Sequence, residues 1–194
     1  DAAAALEAGG VKNGTPGIDP VGNVLTLDTD SEGDALTVTI VRTGSETGSV
    51  TSGTVGVPLR GNYGWLTLNA DGSYLYRVDN NMAEVEALRL RTNTLTDTFT
   101  YTAADSYGSA DQASISVTIQ GANDAPVATD DSALLNGASE SNTTVTGNVL
   151  PNDTDVDAYG EIDRVTGIRC GAENTGAALT PVATGTTSST GQRI

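Results

Sequence analysis

The chain has 194 residues with 25 Asp and Glu against 9 Lys and Arg, no histidine and one cysteine, giving a formal charge of −16. Without imidazole there is no Ser-His-Asp or Cys-His machinery and no nitrogen ligand for zinc or copper, and Cys170 alone closes no internal disulfide and builds no thiolate cluster. So acidic a chain repels nucleic-acid phosphates and anionic lipid surfaces; what its carboxylates attract is a hard cation, calcium first.

Thr is the commonest residue, Lys12 is the only lysine, and the long-chain helix formers Met and Gln are rare, which points to an all-β composition. No run approaches the roughly 18 apolar residues of a membrane span, and Asp1–Leu6 lacks the basic flank of a signal peptide, so no membrane insertion is expected. An acidic, Cys-poor, Lys-poor chain fits a secreted bacterial protein.

In chain order, Leu36–Val41 reads as a strand, and Tyr63–Asn69 and Ser73–Val78 read as a hairpin turned by Ala70-Asp71-Gly72. Asn81–Leu88 is the one helical-looking stretch, with Asn80 or Asn81 as its cap. Thr94–Thr102 and Ala113–Ile119 alternate with period two; in the second, Ile115, Val117 and Ile119 share one face and Ser114, Ser116 and Thr118 the other. Short strands separated by turns predict a β-sandwich. Trp65, Phe99 and Tyr101 are assigned to core and hairpin packing in preference to a ligand-stacking platform.

Gly121-Ala-Asn-Asp-Ala-Pro-Val127 is a short joint. Beyond it the chain repeats itself: Gly22-Asn-Val-Leu-Thr-Leu-Asp-Thr-Asp30 returns as Gly147-Asn-Val-Leu-Pro-Asn-Asp-Thr-Asp155, with Glu7-Ala-Gly-Gly echoed by Leu135-Asn-Gly-Ala and Arg42–Gly48 by Arg169–Gly176. A repeat on this scale is a duplicated domain, so the expected domains are 1–122, complete, and 123–194, the first part of a second copy. The second copy stops where its Tyr-Gly hairpin is due, which leaves either an end there or an inserted domain as expectations.

The run Asp28-Thr-Asp30-Ser-Glu32-Gly-Asp34 carries carboxylates at every second position, and its counterpart is Asp153-Thr-Asp155-Val-Asp157. Calcium takes six to eight oxygens, which such loops supply; the first run is not an EF-hand, because its twelfth position is Thr39 and its flanks are strands. If this run joins the second and third strands and Asp105–Asp111 the last two, then Asp28, Asp30, Asp34, Asp105 and Asp111 converge at the N-terminal pole. By the same geometry Asp153 and Asp155 face the joint, where Asn123 and Asp124 arrive. The bland alternative is that these acids are solvated turn residues. Cys170, at a strand end with no base nearby, reads as inert.

Gly22-Asn-Val-Leu, Asp28-Thr-Asp30, Gly33-Asp34-Ala-Leu-Thr-Val38, Tyr63-Gly-Trp-Leu-Thr-Leu-Asn-Ala-Asp-Gly-Ser-Tyr74, Leu95-Thr-Asp-Thr-Phe-Thr-Tyr101 and Gly121-Ala-Asn-Asp-Ala-Pro126 together resemble the VCBS repeat, a bacterial cadherin-like, immunoglobulin-type domain of large RTX-type surface adhesins. The resemblance implies a Greek-key sandwich in tandem arrays, calcium dependence with ions between domains, type I secretion to the bacterial cell surface, and a part in attachment or biofilm formation. The expected function is a non-catalytic extender stiffened by calcium on Asp28, Asp30, Glu32, Asp34, Asp105, Asp111, Asn123, Asp124, Asp153, Asp155 and Asp157. The competing expectation is a calcium-dependent carbohydrate-binding module. Expected partners are neighbouring repeats of the same chain, and surface glycans through other domains; the chain is expected to be a monomer. Few aromatics and no catalytic constellation make an enzyme improbable.

Overall fold

The computed structural model describes residues 1–9, 14–48, 51–131, 148–157, 163–168 and 180–181. The chain divides into two compact units, Asp1–Ala125 with Val156–Tyr159, and Pro126–Asp155 with Gly160–Ile194.

The first unit runs β1 (Ala2–Leu6), β2 (Val21–Asn23), a 3-10 turn (Val24–Thr26), β3 (Thr37–Thr43), β4 (Ser52–Gly53), β5 (Leu59–Arg60), β6 (Gly64–Leu68), β7 (Ser73–Val78), the one-turn helix α1 (Ala83–Glu86), β8 (Thr94–Ala104) and β9 (Ala110–Gln120). A five-stranded sheet in the order β1-β9-β8-β3-β4 faces a four-stranded sheet in the order β2-β7-β6-β5. This is an all-β sandwich.

The period-two patterns decide which side chains enter the core. Ile115, Val117 and Ile119 of β9 are fully buried, as are Leu66, Leu68 and Tyr76 from the opposite sheet and Phe99 and Tyr101 from β8. Each such burial is worth about 1.5–3 kcal/mol. Tyr76 and Phe99 meet edge to face, centroids 6.2 Å apart. The β6–β7 hairpin forms as its turn chemistry dictates, with Gly72 at φ +82°.

Two elements differ from the sequence reading. The helix spans only Ala83–Glu86, and its N-cap is Met82, whose side chain makes no cap hydrogen bond. Asn80 is engaged elsewhere, since its Oδ1 accepts the Ala8 amide at 2.7 Å. The alanine run that carries no alternation becomes a strand: β1 lies parallel to β9, Ala2 opposite Ser116 and Leu6 opposite Gln120. Small side chains let it lie flat against the core, and the mutual Leu6–Ile18 backbone bonds fasten its end.

One buried polar residue ties the sheets together. Asp97 of β8 accepts the amides of Asn62 (2.7 Å) and Tyr63 (2.9 Å) and the hydroxyl of Tyr76 from β7 (2.6 Å). Burial first, then this bond, raises the Tyr76 pKa far above the ordinary phenol value. Gly61 is required beside it, because a Cβ there would stand 2.6 Å from both Asp97 Oδ2 and Phe99 Cζ.

In the second unit Val127 pairs with Thr154, and β10 (Gly167–Ile168) runs antiparallel to β11 (Thr180–Pro181). Two backbone-anchoring hydrogen bonds recur in the two copies of the repeated motif. Asn23 Oδ1 accepts the Leu25 amide at 2.8 Å and Asn148 Oδ1 the Leu150 amide at 3.1 Å. The Asp28 amide then returns to Leu25 O, and the Asp153 amide to Leu150 O. The 135–138 and 169–176 echoes, Gly147 and Cys170 lie outside the described residues.

Replacing Tyr76 by Phe removes one hydrogen bond to a charged group and is expected to lower unfolding stability by about 1.5–3 kcal/mol. Asp97→Ala strands two amides and a hydroxyl and is expected to cost at least about 3 kcal/mol; urea unfolding of both variants checks the order.

Candidate functional site

Carboxylates gather at both poles of the first unit, in different physical states. At the N-terminal pole the 28–34 loop lies between β2 and β3, and the 105–109 turn joins β8 to β9. Asp28, Asp30 and Asp34 line a surface hollow of about 320 Å³ together with Asn23 and Asp71. Asp28, Asp30 and Asp111 line a second, of about 440 Å³, with Leu27. Asp105 and Glu32 line neither.

These acids are largely engaged within their own loops. Asp30 Oδ1 accepts the amides of Glu32 (2.9 Å) and Asp34 (3.1 Å), and Glu32 accepts the Ser31 hydroxyl. Asp105 Oδ1 accepts the amides of Tyr107, Gly108 and Ser109. Desolvation works against these three bonds, which nonetheless hold the Asp105 carboxyl below its ordinary pKa. Asp111 takes the amide of Gln112. The Tyr101 hydroxyl stands 2.9 Å from both Asp1 Oδ2 and Asp28 Oδ2, with Val24 O at 3.2 Å. One proton serves only one of those acceptors at a time. Burial, followed by the Asp28 hydrogen bond, raises the Tyr101 pKa well above the ordinary value.

The C-terminal pole is where β1 and β9 end and the joint begins. Glu7 follows β1 and is fully buried; its Oε1 accepts the Ala122 amide at 2.7 Å, while Oε2 has no hydrogen-bond partner among the described residues. Asp124, also buried, donates its amide to Asp157 Oδ2 at 2.9 Å. Asn123 is exposed and its side-chain amide donates to Asp124 O. Glu86 ends α1. Burial pushes the Glu7 pKa up to about 8; the Ala122 bond opposes this, and the charges of Asp124, Glu86 and Asp157 add to it. Asp157 belongs with this unit, whereas Asp153 and Asp155 belong with the second, where Asp153 Oδ1 accepts the Thr129 amide at 2.9 Å.

The charges of Asp124, Glu86 and Asp157 all reach Glu7, whose Oε2 is buried and without a hydrogen-bond partner among the described residues. These carboxyls form a field and not a closed cage, because among the described residues no three Asp, Glu or Cys side chains make a ready-made metal-holding group. Sequence reasoning missed Glu7 and Glu86. Neither lies in an acidic run, and only the parallel pairing of β1 with β9 carries Glu7 to the joint.

A family model for the bacterial cadherin-like domain matches residues 1–121, and the chain belongs to that family. A search of curated proteins returned no match. Domains of this family are generally non-catalytic and occur in surface or extracellular proteins. Among the described residues no helix is long and apolar enough to cross a membrane.

Because Glu7 is buried more favourably when protonated, its contribution to stability in calcium-depleted buffer is complete below pH 4.5 and is lost as pH rises through about 8. Glu7→Gln removes that slope. The expected result in urea unfolding is a wild-type deficit against Glu7→Gln that opens between those pH values and reaches a few kcal/mol.

Proposed function

We propose that this chain is an extender from a secreted adhesin of the VCBS and RTX type, in which calcium held by Glu7, Glu86, Asp124 and Asp157 fixes the end of one repeat as the next begins. The observation that carries the reading is Glu7: a fully buried carboxyl with one oxygen unpartnered among the described residues and three further carboxyls raising its pKa. A divalent cation there would supply the missing partner and offset the mutual repulsion. Asp124 precedes the 126–155 segment and Asp157 follows it, so an ion bonded to both would restrain that segment at its two ends. Stiff joints suit a module whose work is to hold other domains away from a cell surface, for attachment or biofilm growth, after type I secretion. Neighbouring repeats are its expected partners.

A calcium-gripped sugar fits this pole less well, because such a grip needs an ion with a coordination position open to solvent, and Glu7 is buried. The N-terminal acids Asp28, Asp30, Asp34 and Asp111 are proposed as a second, weaker place for calcium. Their loop hydrogen bonds already satisfy part of their oxygen capacity.

Titration calorimetry and thermal melting of the calcium-depleted chain test this. Extracellular calcium modules bind at about 10⁻⁴–10⁻³ M, and ten times the dissociation constant stabilises by about 1.4 kcal/mol per site. Calcium is expected to raise Tm, with Glu7→Gln and Asp124→Asn losing most of that rise and Asp30→Asn keeping most of it. No binding heat and no Tm shift in the wild type would overturn the reading.

A further inference from the structure

The outer face of the four-stranded sheet carries a row that the acidic poles do not explain. Arg60 of β5 pairs with Trp65 of β6, and Trp65 pairs with Arg77 of β7. All three are exposed, while Leu59, Leu66, Tyr76 and Val78 alternate inward on the same strands. Trp65 was expected in hairpin packing, but unlike Phe99 and Tyr101 it keeps 37% of its surface exposed. Its position out of phase with Leu66 and Leu68 turns it outward.

The row is built rather than scattered. The Arg60 guanidinium lies 4.3 Å from the centroid of the Trp65 ring and is held by Asp79 (3.0 Å), Met82 Sδ (3.0 Å) and Gly64 O (3.4 Å). Arg60 is therefore neutralised, and it braces one side of the indole. The Arg77 guanidinium, on the residue directly across from Trp65, has no hydrogen bond or ion pair among the described residues. Beside this row lies an apolar shelf, where Leu75 stands between Thr67 and Val21, the latter 72% exposed.

We propose that this face binds a carboxylate-bearing saccharide, with Arg77 receiving the carboxylate and Trp65, flanked by Leu75 and Val21, receiving the apolar face of the sugar ring. A planar guanidinium matches a carboxylate with two parallel N–H bonds, and an indole offers a flat apolar surface. Charge complementarity selects this ligand. In a chain of charge −16 the unpaired Arg77 side chain attracts a carboxylate, and a short acidic oligosaccharide keeps its charges near that cation, whereas a long polyanion would meet net repulsion where it runs well beyond a Debye length of about 8 Å. This site needs no calcium and is separate from both acidic poles.

Trp65 is the only tryptophan of the chain, so its emission reports on this face alone. The full chain, depleted of calcium on a chelating resin, is titrated with trigalacturonate, with its methyl ester and with acetate. Expected is a saturable change in Trp65 emission with trigalacturonate, at least about tenfold weaker for the methyl ester and for the Arg77→Gln variant, and no saturation with acetate over the same range. Arg77 is exposed, so Arg77→Gln is expected to melt as the wild type does, which separates lost binding from lost fold. The proposal is overturned if trigalacturonate gives no saturable change, if the ester binds equally, or if Arg77→Gln binds unchanged. It is also overturned if emission follows protein concentration alone and sedimentation finds a dimer that Arg77→Gln dissolves, since the face would then receive a second copy.

Discussion

The buried carboxylate of Asp97 is the contact on which the geometry of the first unit turns. It comes from the five-stranded sheet and is bonded by Tyr76 of the other sheet and by the Asn62 and Tyr63 amides that lead into β6. A buried ionised group is tolerated only when its lone pairs are engaged, and here three donors engage them. The same three bonds set where β6 and β7 lie against the core. Everything those strands display outward, including Trp65 and Arg77, therefore inherits its position from a polar group inside.

The two poles show how one residue type reaches opposite energetic states. Asp105 collects three backbone amides from its own turn, which favours its charged form, and Asp30 collects two amides within its own loop. Glu7 has one amide and a buried, unpartnered oxygen beside three other acids, so its charged form is disfavoured. Local hydrogen bonding makes an acid cheap to keep ionised; burial among its own kind makes it dependent on a proton or a cation. That contrast, more than the number of acids, singles out the C-terminal pole.

Much of this was legible in the sequence wherever the signal is local. The alternation in 113–119 identified the buried face of β9, and Asp71-Gly72 identified the β6–β7 turn. Asp97 was legible in principle, since it falls in phase with Leu95, Phe99 and Tyr101. Trp65 was legible by phase as well, but its size argued for the core more strongly than its phase argued against it. β1 was not legible: Ala2–Ala5 has no period, and its partner on β9 is more than a hundred residues away. Glu7 depends on that pairing, so the residue that matters most at the joint carried the weakest local signal.

The duplicated motif contains two separate constraints that happen to be neighbours. Asn23 and Asn148 each bond the amide two residues on, and the chain then folds back through the Asp28 and Asp153 amides. This part is a turn device and needs Asn for its short carbonyl-bearing side chain. The carboxylates that follow are under no such backbone constraint, and their surroundings diverge: Asp28 meets the Tyr101 hydroxyl, whereas Asp153 meets the Thr129 amide. In the second copy the spacing continues to Asp157, which joins the first unit beside Asp124. The hydrogen bonds shared at the Asn-Val-Leu positions report a common local turn, while the acids after them meet different surroundings. The less regular cluster around Glu7 is where burial and neighbouring carboxyls push a carboxyl pKa up.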